Sequence, residues 1–594
     1  MATATEEFGG PDRATMPLPG HAPAELAGYV AARAITLDDV AAAATLVDMA
    51  RRNVPTLEPD LRAWVAVCLA LRTPRDGHTC VDFSAARDWA GDIDLAAADH
   101  LDWPPAASAW TASLASAGPL VGRPGDRAPF ILDGTRFYLA RALHEEQQIA
   151  RRLRDRRGEP VAILLGGPGT GKTTRVATRL IEILQDKPEA RISLAAPTGK
   201  AAARMAEALR ARLHDETAPP EVRDAPQHVR DAVMAVRPLT IHKLLGHRPQ
   251  GTPRYRFNAT TRLDCELVVV DEASMMSSSL MHHLLAALGD STQLLLVGDP
   301  NQLASVDAGS VLGDIARAAA QAGSPLAGRT ETLTIRHRFG PRIGALADAI
   351  LAGDDHGVAR TLEILEGRWT PPSDPRNTKP DDPGSIRWLD PGRASLAGLV
   401  AEVVDQARRV CDLAADRHTA AALSAQRKLQ VLCAHRAGPG GVGGWNARVA
   451  ERLGVADGTA WYAGRPVMVT RNNPALDLFN GDVGVVVPGG DDGRMDVAFP
   501  MAGGEPRLVP VSRLEDVETV HALTIHKSQG SEYEHVVVVL PEHASRIVTR
   551  ELLYTAVTRA SERVTVVGSR EVIEAGIRRP IRRATGLAER LAGS

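Results

Sequence analysis

VAILLGGPGTGKTT, residues 161–174, is an apolar run that ends in glycines and passes straight into a helical pattern, TTRVATRLIEILQ (173–185). A buried strand, a glycine turn and a helix in that order are the context in which G-x-x-x-x-G-K-[ST] reads as a phosphate-binding loop. Gly166, Gly169 and Gly171 let the backbone curl so that its N–H groups face phosphate oxygens, and Gly167, Pro168 and Thr170 complete the turn. The helix N-terminus adds partial positive charge at the same point. Lys172 is expected to reach the β- and γ-phosphates of ATP and Thr173 to ligate Mg²⁺, with Thr174 beside it among the nucleotide contacts. The plain alternative, a glycine turn with a stray lysine, leaves the strand and helix flanks unexplained.

Working outward, RISLAAPT (191–198) repeats the strand-before-helix pattern and leads into GKAAARMAEALRARL. CELVVVDEA (265–273) and QLLLVGDP (293–300) are two more buried-type strands that end in acidic residues. Apolar strands alternating with helices predict a parallel sheet covered on both faces, with ligands at the carboxyl ends of its strands. A second strand set begins at KLQVLCAHR (428–436) and continues in HVVVVLPE (535–542) and RVTVVGSR (563–570). Between them, over 461–520, short alternating strands punctuated by glycines predict a small inserted β-barrel. Residues 1–25 are Pro- and Gly-rich and read as disordered, 26–135 as an α-rich domain, and 371–384 as a Pro/Asp loop. The expected division is 26–135, then 140–335 with the phosphate loop, then 336–460 with 521–575, then a tail at 576–594.

The 594 residues carry a formal net charge of −3, which excludes a globally basic nucleic-acid coat but leaves room for a local basic groove. Aromatics are 4%, so the cores are expected to be mostly aliphatic. Five scattered cysteines without a CxxC pair exclude a disulfide framework and a zinc knuckle. No basic start followed by an apolar stretch marks a signal peptide, and no run approaches the ~18 apolar residues of a membrane span. A cytoplasmic protein without membrane partners is expected. Of 69 basic residues only seven are lysines, and four of these, Lys172, Lys200, Lys243 and Lys527, fall inside the polar motifs. Lysine is a compact point charge, which the arginine fork does not replace at a crowded phosphate.

Asp271 and Glu272 follow the strand ELVVV. Asp271 at the strand end is placed to hold Mg²⁺, and Glu272 to act as general base for the attacking water. An acidic helix cap is the bland reading of such a pair. Gln302, in VGDPNQLASVDAGS (297–310), is placed to bond the γ-phosphate or the water; a polar turn is its alternative. APTGKAA (196–202), TIHKLLG (240–246) and LTIHKSQGSE (523–532) share hydroxyl, imidazole and ammonium groups at strand-to-helix joins, suited to nucleic-acid phosphates or, more plainly, to helix capping. Arg338 and Arg559 are candidates for arginine fingers completing the ATP site from the second strand set.

Taken in order, GGPGTGKTT, APTGKAAARM, TIHKLLG, VVVDEASMM, GDPNQLASV, RHRF, TIHKSQGSE and YTAVTRA follow the sequence of superfamily 1 helicase motifs. Over roughly 140–570 the chain resembles the RecD family, the α subunits of exodeoxyribonuclease V, and DGHTCVDF (76–83) is similar to a stretch of that family's N-terminal domain that contacts the RecC partner. The resemblance implies an α/β fold with two RecA-like P-loop NTPase domains, a Src-homology-3-like barrel insertion and an α-rich N-terminal domain. It implies 5′-to-3′ translocation on single-stranded DNA, entry at duplex ends, and a heterotrimer with RecB-like and RecC-like subunits. Carried onto this chain, Lys172, Thr173, Asp271, Glu272, Gln302, Arg338 and Arg559 form the ATPase site. Gln147 or Gln148 contacts the adenine, Glu532 approaches the ribose, and Thr198, Thr240, His242, His526 and Lys527 contact DNA. HRPQGTPRYRFN (247–258) stands where related helicases carry a strand-splitting pin. Two rival readings remain: a stand-alone RecD-like helicase, whose relatives carry a longer N-terminal region, and a non-enzymatic scaffold with a vestigial site. No constellation of carboxylates and lysine outside the ATP site supports a nuclease, which the family places in the RecB partner.

Overall fold

The computed structural model describes residues 18–86, 101–155, 161–248, 254–335, 338–370, 382–455, 461–473, 475–490, 493–501 and 505–593. The expectations for 1–17, for most of the 371–384 loop and for the centre of 247–258 lie outside these residues.

The expected N-terminal helices are present at Leu26–Ala31, Leu37–Arg51 and Leu61–Arg72. Thr36 starts the second with a reciprocal cap: its Oγ1 accepts from Asp39 N at 3.2 Å, and the Asp39 carboxylate accepts from Thr36 N at 2.8 Å. Asp60 caps the third through Ala63 N at 2.9 Å, and Ala63–Ala70 are all buried, so that helix is surrounded on every side. An α-rich unit ending at 135 is nevertheless only half of what is there. Cys80–Asp82 (β1), Val121–Gly122 (β2), Phe130–Asp133 (β3) and Arg136–Leu139 (β4) form a four-stranded sheet in the order β1-β4-β3-β2. The β3–β4 hairpin turns at Gly134, whose φ of 61° suits glycine, so the unit runs past 135. Two- to four-residue strands are too short for alternation to reveal. This core departs from the aliphatic expectation too: Phe83 stacks on Trp110 at 5.1 Å and on Phe137 at 5.8 Å, and Phe137 on Phe130 at 5.4 Å.

Val161–Gly166 (β5), Ile192–Ala196 (β6), Leu239–Thr240 (β7), Leu267–Val270 (β8), Gln293–Gly298 (β9) and Thr330–Leu333 (β10) form an all-parallel sheet, order β10-β5-β9-β8-β6-β7. Separate apolar clusters cover its two faces, as a parallel sheet requires. The order gathers the ends of β5, β9 and β8 at the centre and those of β6 and β7 at one side. The phosphate-loop and acidic motifs are thereby neighbours, and the Thr198 and Thr240 motifs sit together beside them.

Ile386–Leu389 (β11) and Leu429–Cys433 (β12) begin the second parallel sheet. Into it are inserted Pro466–Val469 (β13), Val483–Pro488 (β14), Met495–Phe499 (β15), Arg507–Pro510 (β16) and Val517–Thr519 (β17). Ala522–Thr524 (β18), Tyr533–Val539 (β19) and Ala560–Val567 (β20) complete it, order β11-β20-β19-β12-β18. The insertion is an antiparallel five-stranded sheet, order β16-β15-β14-β13-β17, with its own core of Val467, Val486, Val497 and Phe499.

Residues after 575 are more than a tail. The helix Arg570–Arg578 crosses that boundary, and Leu587–Ala592 packs on the helices Ala140–Asp155 and Val311–Ala319 with Leu587 and Leu591 fully buried. Its anchor is Glu146, also fully buried, which accepts from Thr79 Oγ1 (2.5 Å), Tyr138 OH (3.2 Å), Thr585 Oγ1 (2.9 Å) and Gly586 N (3.2 Å). Asp314 beside it accepts from Thr585 Oγ1 and pairs with Arg317.

Burial raises the Asp314 carboxyl to about 7; Arg317 pulls it down and Glu146 pushes it further up. Its folded value lies above the unfolded value of about 4, so the native state binds more protons in between. Its contribution to stability is full below about pH 4 and is lost as pH rises through about 7. The melting midpoint of Asp314→Asn relative to the parent should therefore climb across that window. A difference that does not change with pH would contradict the assignment.

Candidate active site

The phosphate loop leaves β5 at Gly166, and the helix Lys172–Asp186 follows it directly. Gly169 and Gly171 have φ of 75° and 89°, a left-handed backbone that only glycine adopts without cost. Lys172 Nζ lies back along the loop, donating to Gly166 O at 2.7 Å and Gly167 O at 2.9 Å, and Thr170 Oγ1 donates to Gly167 O at 2.9 Å. Pro168 and Thr170 are buried, while Gly167, Thr173 and Thr174 are half-buried at the loop's mouth.

Asp271 follows β8, and Glu272 N donates to its Oδ1 at 2.8 Å. Burial and the adjacent Glu272 carboxylate push Asp271 up to about 6, against the pull of the Lys172 ammonium. Glu272 has φ 52° and ψ 39°, left-handed for a residue that is not glycine. Such a backbone costs about 1–3 kcal/mol and persists where its surroundings enforce it. Glu272 precedes the short helix Ala273–Met275 without a side-chain capping bond to it.

At the end of β9, sequence reasoning singled out Gln302 and passed over Asp299, although GDP precedes the glutamine. Asp299 is buried and gathers Gln302 Nε2 at 3.0 Å, Tyr554 OH at 2.9 Å and Asn301 N at 3.0 Å. Burial raises its carboxyl, with Lys172 pulling the other way. Gln302 Oε1 in turn accepts from Arg559 Nη2 at 3.1 Å. Arg559 is almost fully buried and braced by the Thr555 and Ser531 carbonyls at 3.1 and 3.4 Å. Leu303 N donates to Thr555 Oγ1 at 3.1 Å, and Gln529 Nε2 to Leu303 O at 3.0 Å. This seam between the two parallel sheets joins YTAVTRA to GDPNQLASV.

Arg338 arrives from the other direction. A Cβ on Gly169 would lie 2.3 Å from Arg338 Cβ, so that arginine's backbone rests on the phosphate loop. Its Nη2 meets Glu532 Oε1 at 3.0 Å, and Arg204 Nη1 meets the same oxygen at 3.3 Å. Burial pushes the Glu532 carboxyl up, but Arg338, Arg204, Arg559 and Arg427 together outweigh it and hold it below its ordinary value. The structure therefore brings Lys172, Asp271, Glu272, Gln302, Arg338, Arg559 and Glu532 to one cleft. Gln147 and Gln148 are half-buried on the helix Ala140–Asp155 that precedes β5.

The nucleic-acid candidates form a second group. Thr198 Oγ1 accepts from Ala201 N at 3.1 Å and Thr240 Oγ1 from Lys243 N at 3.2 Å, so both also cap helices. Burial, His247 and Arg254 hold His242 below its ordinary value, and burial, Arg583 and Arg436 do the same for His526. The inserted sheet meets this group. Lys243 Nζ stands 4.6 Å over the Phe479 ring, a Cβ on Gly199 would be 2.4 Å from Phe479 Cγ, and Lys527 pairs with Glu518. Lys200, absent from the sequence-derived site, bonds Ser531 Oγ, and burial lowers its ammonium to about 7. The lysine census was the signal that pointed to it.

Among known proteins, residues 32–138 match the family described as RecBCD enzyme subunit RecD, N-terminal domain. Residues 148–308 match an AAA domain and 519–567 a UvrD-like helicase C-terminal domain. The RecBCD enzyme subunit RecD of Mycolicibacterium smegmatis is 40% identical over 584 residues, spanning 91% of this chain and 96% of that one. The chain belongs to the RecD family. It is a superfamily 1 helicase with an ATPase site. The Haemophilus influenzae RecD subunit is 31% identical, over 73% of this chain and 70% of its own. The ATP-dependent RecD2 DNA helicase of Deinococcus radiodurans is also 31% identical, over 76% of this chain but 53% of its own. A Bacteroides Pif1 helicase solved with ADP-AlF3 and single-stranded DNA is 16% identical over 74% of this chain and 94% of its own, at a TM-score of 0.38 too loose to carry an argument.

Within this RecD-family site the strained Glu272 gives a direct prediction. Glu272→Gly removes both the carboxylate and the backbone strain. Its ATP turnover should fall by about a hundredfold or more, with ATP affinity kept and a melting midpoint no lower than the parent's. A variant that loses stability along with turnover would refute the strain.

Proposed function

We propose that this chain is the 5′-to-3′ single-stranded DNA translocase of a RecBCD-type complex that processes duplex ends. The observation that carries the ATPase part is the closure of Arg338 on Gly169 and of Arg559 on Gln302. Residues from both sheets converge on one phosphate loop, the arrangement a motor needs if hydrolysis is to open and close a cleft.

ATP sits with its phosphates on the N–H groups of Gly166–Thr174, and Lys172 leaves the Gly166 and Gly167 carbonyls for the β- and γ-phosphates. Glu272 takes the proton of the attacking water. Gln302 orients that water or senses the γ-phosphate, and Arg338 and Arg559 stabilise the charge that develops. Thr173 and Asp271 would hold Mg²⁺, which neutralises phosphate charge when bound. A carboxylate raised to about 6 by burial and by Glu272 fits that role, because a dication would hold it ionised. Glu532, held ionised by four arginines, is placed to accept from the ribose, and Gln147 or Gln148 to meet the adenine.

Thr198, Thr240, His242, His526 and Lys527 take the DNA backbone, and the inserted sheet, read as the Src-homology-3-like module, closes over it with Phe479 as a stacking surface. Binding of this kind is sequence-tolerant and falls with salt. Polarity, RecB-like and RecC-like partners and a cytoplasmic location come from the family. The N-terminal match and 96% coverage of the Mycolicibacterium subunit favour the complex over a stand-alone helicase, since only 53% of the Deinococcus protein is covered.

The test is ATP hydrolysis by the purified chain with and without single-stranded DNA, beside Lys172→Ala, and again with RecB-like and RecC-like subunits added. DNA-stimulated turnover, lost by at least about a hundredfold in the variant, is expected. Turnover at the parent rate in Lys172→Ala would refute the ATPase site. Absence of DNA stimulation in both settings would refute the DNA motor.

A further inference from the structure

Gln302 is held on one side by Asp299 and Arg559, but the loop that follows it, Leu303–Gly309, has an unusual second anchor. Val306 stands at its tip with 83% of its surface exposed, so apolar packing does not hold that end. Its carbonyls are held instead. Arg583 Nη2 donates to Ser305 O at 2.8 Å, and Nη1 to Asp307 O at 3.3 Å and to Gly77 O at 2.6 Å. Gly309 N donates to the same Gly77 oxygen at 3.0 Å, and Ser305 Oγ closes the loop on Asp307 O at 2.7 Å.

The guanidinium is fixed from its own side as well. Ala584 N donates to His78 Nδ1 at 3.0 Å and Thr79 N to Ala584 O at 3.0 Å, which lays the strap along the DGHT stretch. A Cβ on Gly77, whose φ is 79°, would fall 1.4 Å from Arg583 Nη1, so the stretch has a glycine where the arginine passes. Burial lowers the His526 imidazole, and the Arg583 cation adds to that. One side chain from the strap thus ties the N-terminal unit to the loop after Gln302.

We propose that Arg583 is a positioning residue for ATP hydrolysis: by clamping the Ser305 and Asp307 carbonyls onto Gly77, it holds Gln302 in register with Arg559. The proposal rests on the role given above to Gln302. Without the clamp, the loop keeps its Leu303 contacts to Thr555 and Gln529 and the bonds at Ala308 O and Gly309 N, but its Ser305 and Asp307 carbonyls lose their hold, and Gln302 wanders from the geometry that hydrolysis needs. ATP affinity is untouched, because the phosphate loop and its helix take no part in the clamp.

The experiment is a double-mutant cycle on the full chain in its complex, with Arg583→Ala, Gln302→Ala and the pair, read as kcat and KM for ATP. Arg583→Ala should lower kcat by about tenfold with KM within about twofold, the size of effect expected of a misplaced group. The double variant should be no slower than Gln302→Ala alone, since a residue that acts through another adds nothing once that other is gone. Arg583→Lys, which keeps the charge and loses the fork, should recover part of kcat and guards against a folding failure of the alanine variant. Amide hydrogen exchange should quicken over Gln302–Gly309 and stay unchanged over Gly166–Thr174. A lowered melting midpoint with unchanged kcat, or kcat losses that multiply in the double variant, would overturn the proposal. An unchanged kcat in Gln302→Ala would instead remove the role of Gln302 on which it rests.

Discussion

Arg338 can lie against the phosphate loop only because Gly169 has no side chain, and the rest of the site depends on that approach. A single methyl group there would meet Arg338 Cβ at 2.3 Å and wedge the two parallel sheets apart. With the cleft closed, Glu532 finds two arginines and Gln302 finds Arg559. These are charge-assisted contacts between units that come from distant parts of the sequence, and each is partly or wholly withdrawn from water. In such surroundings a missing partner costs more than the net worth of the pair, which makes the closed arrangement specific as well as stable.

The parallel sheets and the phosphate loop were legible because their signals are local: apolar runs such as Val161–Gly166, Leu267–Val270 and Gln293–Gly298, which end in glycine or pass straight into an acid. Lys172, Asp271 and Glu272 follow such runs directly. Asp299 was passed over because Gly-Asp-Pro also reads as an ordinary turn, and only burial against Tyr554 and Gln302 distinguishes it. The N-terminal sheet was invisible for a different reason. Its strands are two to four residues long, and their pairing joins Cys80–Asp82 to Arg136–Leu139 across more than fifty residues. No local periodicity records a contact of that kind. The strap after 575 was read as a tail because its anchoring groups, Glu146, Thr79 and Tyr138, lie more than four hundred residues upstream.

The scarcity of lysine proved informative about placement. Four of seven lysines sit in the motifs, and three of those meet the inserted sheet or the seam between the two parallel sheets: Lys243 over Phe479, Lys527 with Glu518, and Lys200 on Ser531. An ammonium is easily shared and easily surrendered, whereas a guanidinium fork binds two oxygens at once. The arginines accordingly hold most of the seam, and Lys243 and Lys527 stand where a nucleic-acid backbone is proposed to pass.

The helix Leu587–Ala592 completes the apolar core of the first parallel sheet, to which Ile149 and Leu153 also belong. A ribosome finishes β10, the last strand of that sheet, about 250 residues before it reaches Leu587. At roughly 5–20 residues per second, the first sheet waits on the order of half a minute with part of its core uncovered. The order of synthesis therefore makes Leu587–Ala592 a checkpoint on the first nucleotide-binding unit. A product stopped short of Leu587 would have every motif in place and the core beneath them still open.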